Sequence, residues 1–497
     1  MQPSIKSKNV AKSFLNFLNK SVTPFHAVQS CVEILQEAGF KEVREKENFK
    51  VKPGDKLFIK KNHSTIFAFA VGGQYKPGAA NSNHGFSIVV AHTDSPCLRM
   101  KPVSKKSAEK FLQVGVSPYG GGLWRTWFDR DLSLAGQVVF KRKDSDAILH
   151  KLVNVRRPIL NIPNLAIHLT PDPTKPFEFN KETHLTPILA TMDESAAGSK
   201  CPEGENREQG GKLNCSIVED HHEQLLNVIA EEAGCGVEEL VDLDMYLYDV
   251  QEATLTGLRE EFISGARLDN LLGTYTAITG LVNSLQDPKS FETDPNVRLV
   301  ACYDHEEVGS SSAQGAASSF TQWLMRRLSV PNNGEGGKSA EDPQTCFERA
   351  IGNSYMISAD QAHACHPNYA QSHEDKHKPA FHKGVVVKIN VNQSYATSVM
   401  THAVLKVIAD KAQVPLQKFV IRNDSRCGST VGPILATRLG LQTVDVGCPQ
   451  MAMHSIRELA DVTSVEQAVQ LYSKFFETLP SVLASIQPSP EGSTDSQ

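Results

Sequence analysis

Val297-Arg-Leu-Val-Ala-Cys-Tyr303 runs directly into Asp304-His-Glu-Glu-Val-Gly309. The first half is a short apolar run of strand length. The second half sets Asp304, His305, Glu306 and Glu307 at its exit. Ionisable groups that follow a buried strand so closely are costly unless they are used. The pattern recurs on both sides. Phe86–Ala91 is another apolar run, and it ends in His92-Thr-Asp94-Ser-Pro96. Ser354–Ala359 ends in Asp360. In open α/β sheets, ligands bind just beyond the carboxyl ends of the strands. Three strand ends bearing His and carboxylates therefore predict one shared site.

Working outward, Val10–Leu18 has helical spacing, and Thr23-Pro24 reads as an N-cap with proline at the first helical position, the helix stopping at Gly39. Thr65–Val71 reads as a buried strand. Leu268–Leu285 and Ala313–Leu328 read as helices. Gly384–Val391, Phe419–Arg422 and Thr443–Val446 read as strands. Alternation of this kind predicts an α/β fold, a mostly parallel sheet with helices on both faces. Between Cys97 and Leu258 the texture changes: Gly115–Arg125 is rich in glycine and aromatics, and Ser133–Arg142 and Leu165–Leu169 read as strands. The division expected is a catalytic domain of residues 1–97 and 259–497 with an inserted β-rich domain at 98–258. Polar, glycine-containing stretches at Ala190–Leu213 and Pro331–Asp342, and the tail Gln487–Gln497, read as loops or disordered chain.

The 497 residues suffice for one large or two to three ordinary domains. The charge of 51 basic minus 56 acidic residues, −5, argues against nucleic acid as a partner, since phosphate binding needs a basic face. No apolar run approaches the roughly 20 residues a membrane helix needs. The N-terminus lacks the layout of a signal peptide, and the ten cysteines make no Cys-x-x-Cys pair. Free thiols in the cytoplasm are the expectation.

His and carboxylate ligands suit Zn²⁺, and also Mn²⁺ or Co²⁺. Two ions held close together need a bridging carboxylate against their repulsion. One Asp between them, with a His and a carboxylate for each, satisfies that need. Asp269, in Ala266-Arg-Leu-Asp-Asn270, and His454, in Met451-Ala-Met-His-Ser-Ile456, are further candidates. Each piece alone is bland: an Asp at a helix start is usually a cap, and Glu-Glu is common on helix ends. Lys388 lies in the apolar run Gly384-Val-Val-Val-Lys388, either at an exposed edge or pointing into a pocket.

Together the residues resemble the aspartyl aminopeptidases, a two-zinc aminopeptidase family. The matching segments include His92-Thr-Asp-Ser-Pro-Cys-Leu-Arg99, Tyr119-Gly-Gly-Gly-Leu-Trp124, Trp127-Phe-Asp-Arg-Asp-Leu132 and Asn161-Ile-Pro-Asn-Leu-Ala-Ile-His168. Arg267-Leu-Asp-Asn270, Asp304-His-Glu-Glu-Val-Gly309, Gly428-Ser-Thr-Val-Gly-Pro433 and Met453-His-Ser-Ile-Arg-Glu458 follow in order. The resemblance implies two Zn²⁺ per subunit, one site open to exchange with Mn²⁺ or Co²⁺. Asp269 would bridge them. His92 and Asp360 would complete one site, and Glu307 and His454 the other. Glu306 would be the general base, and Asp94 would orient His92.

The resemblance further implies removal of N-terminal acidic residues, Asp and then Glu, from peptides. Lys388 would meet the substrate's side-chain carboxylate, with Tyr395 and His363 beside it. His168 of a neighbouring subunit would reach the site in a tetrahedral homododecamer. The competing readings are a two-metal carboxypeptidase or deacylase on the same scaffold, and a non-catalytic assembly protein that keeps metals for stability.

Overall fold

The computed structural model describes residues 3–77, 84–143, 146–170, 174, 176–192, 217–330 and 345–486. The loop expectation at 331–342, most of that at 190–213, and the tail at 487–497 lie outside the described residues. The chain divides into two compact units. The first comprises residues 1–94, 253–453 and 458–497, and the second comprises 95–252 and 454–457.

The first unit is built on a nine-stranded sheet. Its order is Lys41–Glu42, Lys56–Lys61, Thr65–Val71, Val297–Tyr303, Phe86–His92, Tyr355–Ala359, Gln442–Gly447, Val385–Lys388 and Leu416–Phe419. The middle four strands, from Val297–Tyr303 to Gln442–Gly447, are mutually parallel. Thr65–Val71, Phe86–His92 and Val297–Tyr303 are buried at every position, as continuous apolar runs in a doubly covered sheet must be. Successive side chains enter opposite layers: Ile66, Ala68 and Ala70 join one core, Phe67, Phe69 and Val71 the other. The first core is closed by helices Ile5–Lys20, Pro24–Glu37, Leu268–Ser284, Val399–Ala412 and Val462–Ala484. The second is closed by Phe320–Ser329, Cys346–Gly352 and Val431–Leu439. The Thr23 cap holds, its hydroxyl accepting from the His26 backbone N–H.

A small five-stranded sheet completes the first unit, and sequence reasoning did not foresee it. Its order is Thr254–Thr256, Phe262–Gly265, Glu458–Asp461, Pro449–Met451 and Ala362–His363. The second unit carries a six-stranded sheet: Ile148–Asn154, Leu132–Lys141, Leu240–Asp249, Cys97–Ala108, Phe111–Tyr119 and Ile188–Thr191. All its pairings are antiparallel. Its own core includes Leu98, Val114, Leu134, Val138, Leu226 and Ile229.

Several elements differ from their sequence reading, each for a local reason. The helix expected from Ala313 starts at Phe320, because the Ser310 carbonyl takes the Ala317 N–H and the Ser312 hydroxyl takes the Gly315 N–H. The strand expected to reach Val391 stops at Lys388, where the Asn390 side chain folds back onto the N–H groups of Asn392 and Ser394. Leu165–Leu169 is not a strand: Ile167–Leu169 is a 3-10 turn closed by the Ala166 carbonyl. The last strand runs Leu416–Phe419 instead of Phe419–Arg422. Among the described residues, no helix is long and apolar enough to cross a membrane.

Candidate metal centre

The parallel strands deliver their carboxyl ends to one place. His92 is the last residue of its strand and pairs in register with Tyr303. Asp360 follows Ala359 directly, its N–H given to the Val446 carbonyl at 2.9 Å. The chain leaving Tyr303 turns sharply: His305 has φ +64° and Gly309 φ +94°, bracketing the 3-10 turn Glu306–Val308. Asp269 sits in the first turn of Leu268–Ser284 with non-helical angles, φ −84° and ψ 107°, and the Asp269–Asn270 peptide is cis. That turn is tied to the strand ends. Thr274 donates to the His92 carbonyl, and Asn270 to the Ala359 carbonyl, both at 2.7 Å. Gly273 permits the approach, since a Cβ there would lie 2.8 Å from the Ala359 carbonyl oxygen.

The side chains converge on one ring nitrogen. His92 Nε2 lies 3.5 Å from Asp269 Oδ1, 3.6 Å from Asp360 Oδ1 and 3.7 Å from Glu306 Oε2. Two groups have ligand atoms all within 4.8 Å of one another: His92 with Glu306 and Asp360, and His92 with Asp269 and Glu307. Ligand atoms placed tetrahedrally about 2.1 Å from an ion stand roughly 3.4 Å apart. The donor types and their spacing therefore fit zinc. The other His92 nitrogen, Nδ1, is 3.0 Å from the Asp94 carbonyl oxygen and 3.3 Å from its carboxylate. That carboxylate also accepts the backbone N–H groups of Glu306 and Glu307, at 3.1 and 3.0 Å.

Charge crowding is severe here. Burial pushes Glu306 up to about 8; the His92 charge opposes the shift, and Asp360, Asp94 and Asp269 add to it. Burial alone would lower the His92 pKa, but Glu306, Asp269, Asp360 and Asp94 override it and raise it well above its ordinary value. A cluster that gathers protons in this way is one that cations can replace.

Lys388 is 2 % exposed, inside the sheet between Gln442–Gly447 and Leu416–Phe419. Its reading as an exposed edge lysine is thereby removed. The ammonium lies 3.3 Å from Asp360 Oδ2, donates to the Gln361 carbonyl at 3.1 Å, and stands 5.1 Å from the centre of the Tyr395 ring. His363 is exposed, with its ring edge-on to Phe419 at 5.7 Å. It lines a cleft with His373, Phe419, Arg422, Met451 and Met453.

Two predicted residues belong to the second unit. His454 has φ +66° and directs Nδ1 at the Gly121 carbonyl, 3.2 Å away. His168 is exposed in the turn Ile167–Leu169. Sequence reasoning missed Glu458, Gln450 and Gln361, which are buried beside the site. Glu458 accepts the Asp269 N–H at 3.0 Å. A charged residue opening a buried strand was the available signal for Glu458; the glutamines offered none.

The chain matches the aminopeptidase I zinc metalloprotease (M18) family over residues 17–476. It is 58% identical to an aspartyl aminopeptidase of Caenorhabditis elegans over 480 residues, 97% of each chain. Among solved structures, that of the Ape4 and Nbr1 complex aligns with a TM-score of 0.88 and 40% identity, covering 98% of this chain and 90% of that one. The mApe1 dodecamer of S. cerevisiae aligns at 0.80 and 28% identity, covering 96% and 98%. With donor set and near full-length similarity in agreement, the chain belongs to the M18 family of zinc metalloproteases.

Proposed function

We propose that this chain is a metal-dependent aminopeptidase that removes acidic residues, Asp and then Glu, from the N-termini of peptides. The observation that carries the reading is a buried lysine 3.3 Å from Asp360, a carboxylate that itself belongs to a His-carboxylate cluster. A cation fixed beside the centre is what an acidic side chain needs when the scissile bond lies at that centre. The activity named for the Caenorhabditis elegans relative supports the same specificity.

In this reading two zinc ions are held per subunit, one site open to exchange with Mn²⁺ or Co²⁺. Asp269 is shared between them, with His92 and Asp360 on one side and Glu307 and His454 on the other. The assignment of His454 as a ligand rests on the sequence motifs alone. Bound zinc would supply Lewis acidity, polarising a carbonyl and lowering the pKa of bound water to about 7.

The chain's own residues do the rest. Asp94 fixes the His92 ring and the Glu306–Glu307 backbone. Glu306 takes a proton from the attacking water and passes it to the leaving amine. Lys388, over the Tyr395 ring, binds the acidic side chain, with His363 at the rim of the cleft. Self-association belongs to the same reading. The exposed Leu165, Ile167 and Leu169 beside His168 in sequence, and the dodecameric yeast relative, support a tetrahedral homododecamer in which His168 serves a neighbouring subunit. The described cysteines are free, which supports a reducing, cytoplasmic setting.

Hydrolysis of a panel of aminoacyl substrates, with and without chelator, tests the proposal. Fastest cleavage after Asp, then Glu, abolished by chelation and by N-acetylation of the peptide, is expected. Cleavage of acetylated peptides would instead favour a deacylase or carboxypeptidase on this scaffold. No chelator-sensitive hydrolysis at all would leave a metal-stabilised assembly protein.

A further inference from the structure

We propose that Glu458 is a positioning residue for Asp269, and that a buried chain through Gln450 and Gln361 sets it in place and continues to Lys388. The inference rests on the reading of Asp269 as a metal ligand.

The five-stranded sheet brings these residues together. Gln450 and Glu458 come from neighbouring antiparallel strands, and Gln361 immediately precedes the strand Ala362–His363 on the other side of Pro449–Met451. Glu458, Gln450 and Gln361 are 3 %, 1 % and 3 % exposed. One Glu458 oxygen accepts the Asp269 N–H at 3.0 Å. The other lies 3.4 Å from Gln450 Nε2. Gln450 Oε1 in turn accepts from Gln361 Nε2 at 3.2 Å. The Gln361 carbonyl accepts from Lys388 Nζ, which also reaches Asp360.

The direction of this chain follows from its chemistry. An ionised carboxylate only accepts, so Glu458 faces a donor on each side. That forces Gln450 to present its amide nitrogen to Glu458 and its oxygen to Gln361. A neutral amide in place of the Glu458 carboxylate would offer one acceptor where two donors wait. Either Asp269 N–H or the Gln450 amide would then lose its partner, in a place where water is excluded, unless both glutamine amides turn over and carry the mismatch along to Gln361. Asp269 needs this support because its backbone leaves the helical path at that residue, φ −84° and ψ 107°, so the regular helix ladder does not fix it. The same chain ties the placement of Asp269 to that of Lys388.

The test is zinc affinity, measured by chelator competition on the purified full chain. Glu458→Gln should weaken zinc by roughly 10- to 100-fold, the usual cost of losing a partner that orients a ligand. The swap Glu458→Gln with Gln450→Glu should recover most of the loss. In the swap, the introduced amide can accept from the Asp269 N–H and donate to the introduced carboxylate, so the Asp269 N–H and the Gln361 amide both keep an acceptor. Wild-type affinity in Glu458→Gln overturns the proposal, as does an equal loss in the single and swapped variants. If Glu458→Gln does not fold, Gln450→Met, which keeps Glu458, should still weaken zinc, and unchanged affinity there overturns the proposal. Asp269→Asn separates the two ideas. If it binds zinc as wild type does, the ligand reading itself fails. If it loses zinc while Glu458→Gln keeps it, only the positioning role fails.

Discussion

The two units bury charge in opposite ways. In the second, buried ionisable groups are matched within the chain: Asp249 is paired with Arg130, and His222 reaches the carbonyls of Lys106 and Gln113. The first unit can do the same, as the wholly buried Arg298–Asp294 pair at 2.7 Å shows. At the ends of its parallel strands it does not. There Asp269, Glu306, Glu307 and Asp360 crowd around His92, with Lys388 beside Asp360. Among the described residues, both His-carboxylate clusters lie in the first unit. Burying a charge is expensive in either place. One unit meets the cost with side chains, and the other leaves room for ions that chemistry can use.

Three changes would break or sharpen that contrast. The largest effect belongs to Glu306→Gln, which should cut turnover roughly 10²–10⁴-fold. Zinc content, measured on the same sample, should stay near wild type. Normal turnover would remove Glu306 as the base. Next, Leu134→Ala in the second unit deletes a fully buried core side chain. It should cost about 2–5 kcal/mol of stability, read from thermal or denaturant unfolding, with the zinc affinity of the folded protein unchanged. A matched fall in zinc affinity would break the contrast drawn above. The smallest is Lys388→Ala. Losing one charge-assisted contact of about 1.5–3 kcal/mol should reduce the preference for acidic over neutral first residues about ten- to a hundredfold. Equal kcat/KM ratios for wild type and variant on an Asp and an Ala substrate would reject its role.

What could be read from the sequence was what the sheet writes in one dimension. The central parallel strands are buried on both faces, so they appear as unbroken apolar runs, and His92 and Asp360 stand out at their ends. Glu306 and Glu307 were legible for the same reason. Leu165, Ile167 and Leu169 alternate like a strand but are all exposed, so their alternation reflects no core. Gln450 and Gln361 were invisible for another reason. Glutamine is chemically quiet in a sequence, and Gln361 and Gln450 are 89 positions apart, joined only by the pairing of short strands.

The Asp94 carboxylate receives the N–H groups of both Glu306 and Glu307. One oxygen serves each, so the two glutamates share a single hinge pin. A designer could not retune the proton carrier by moving its backbone without dragging the adjacent residue along. Variation at this corner would have to come through side-chain length or through what faces it, and substitution of Asp94 should disturb both glutamates at once.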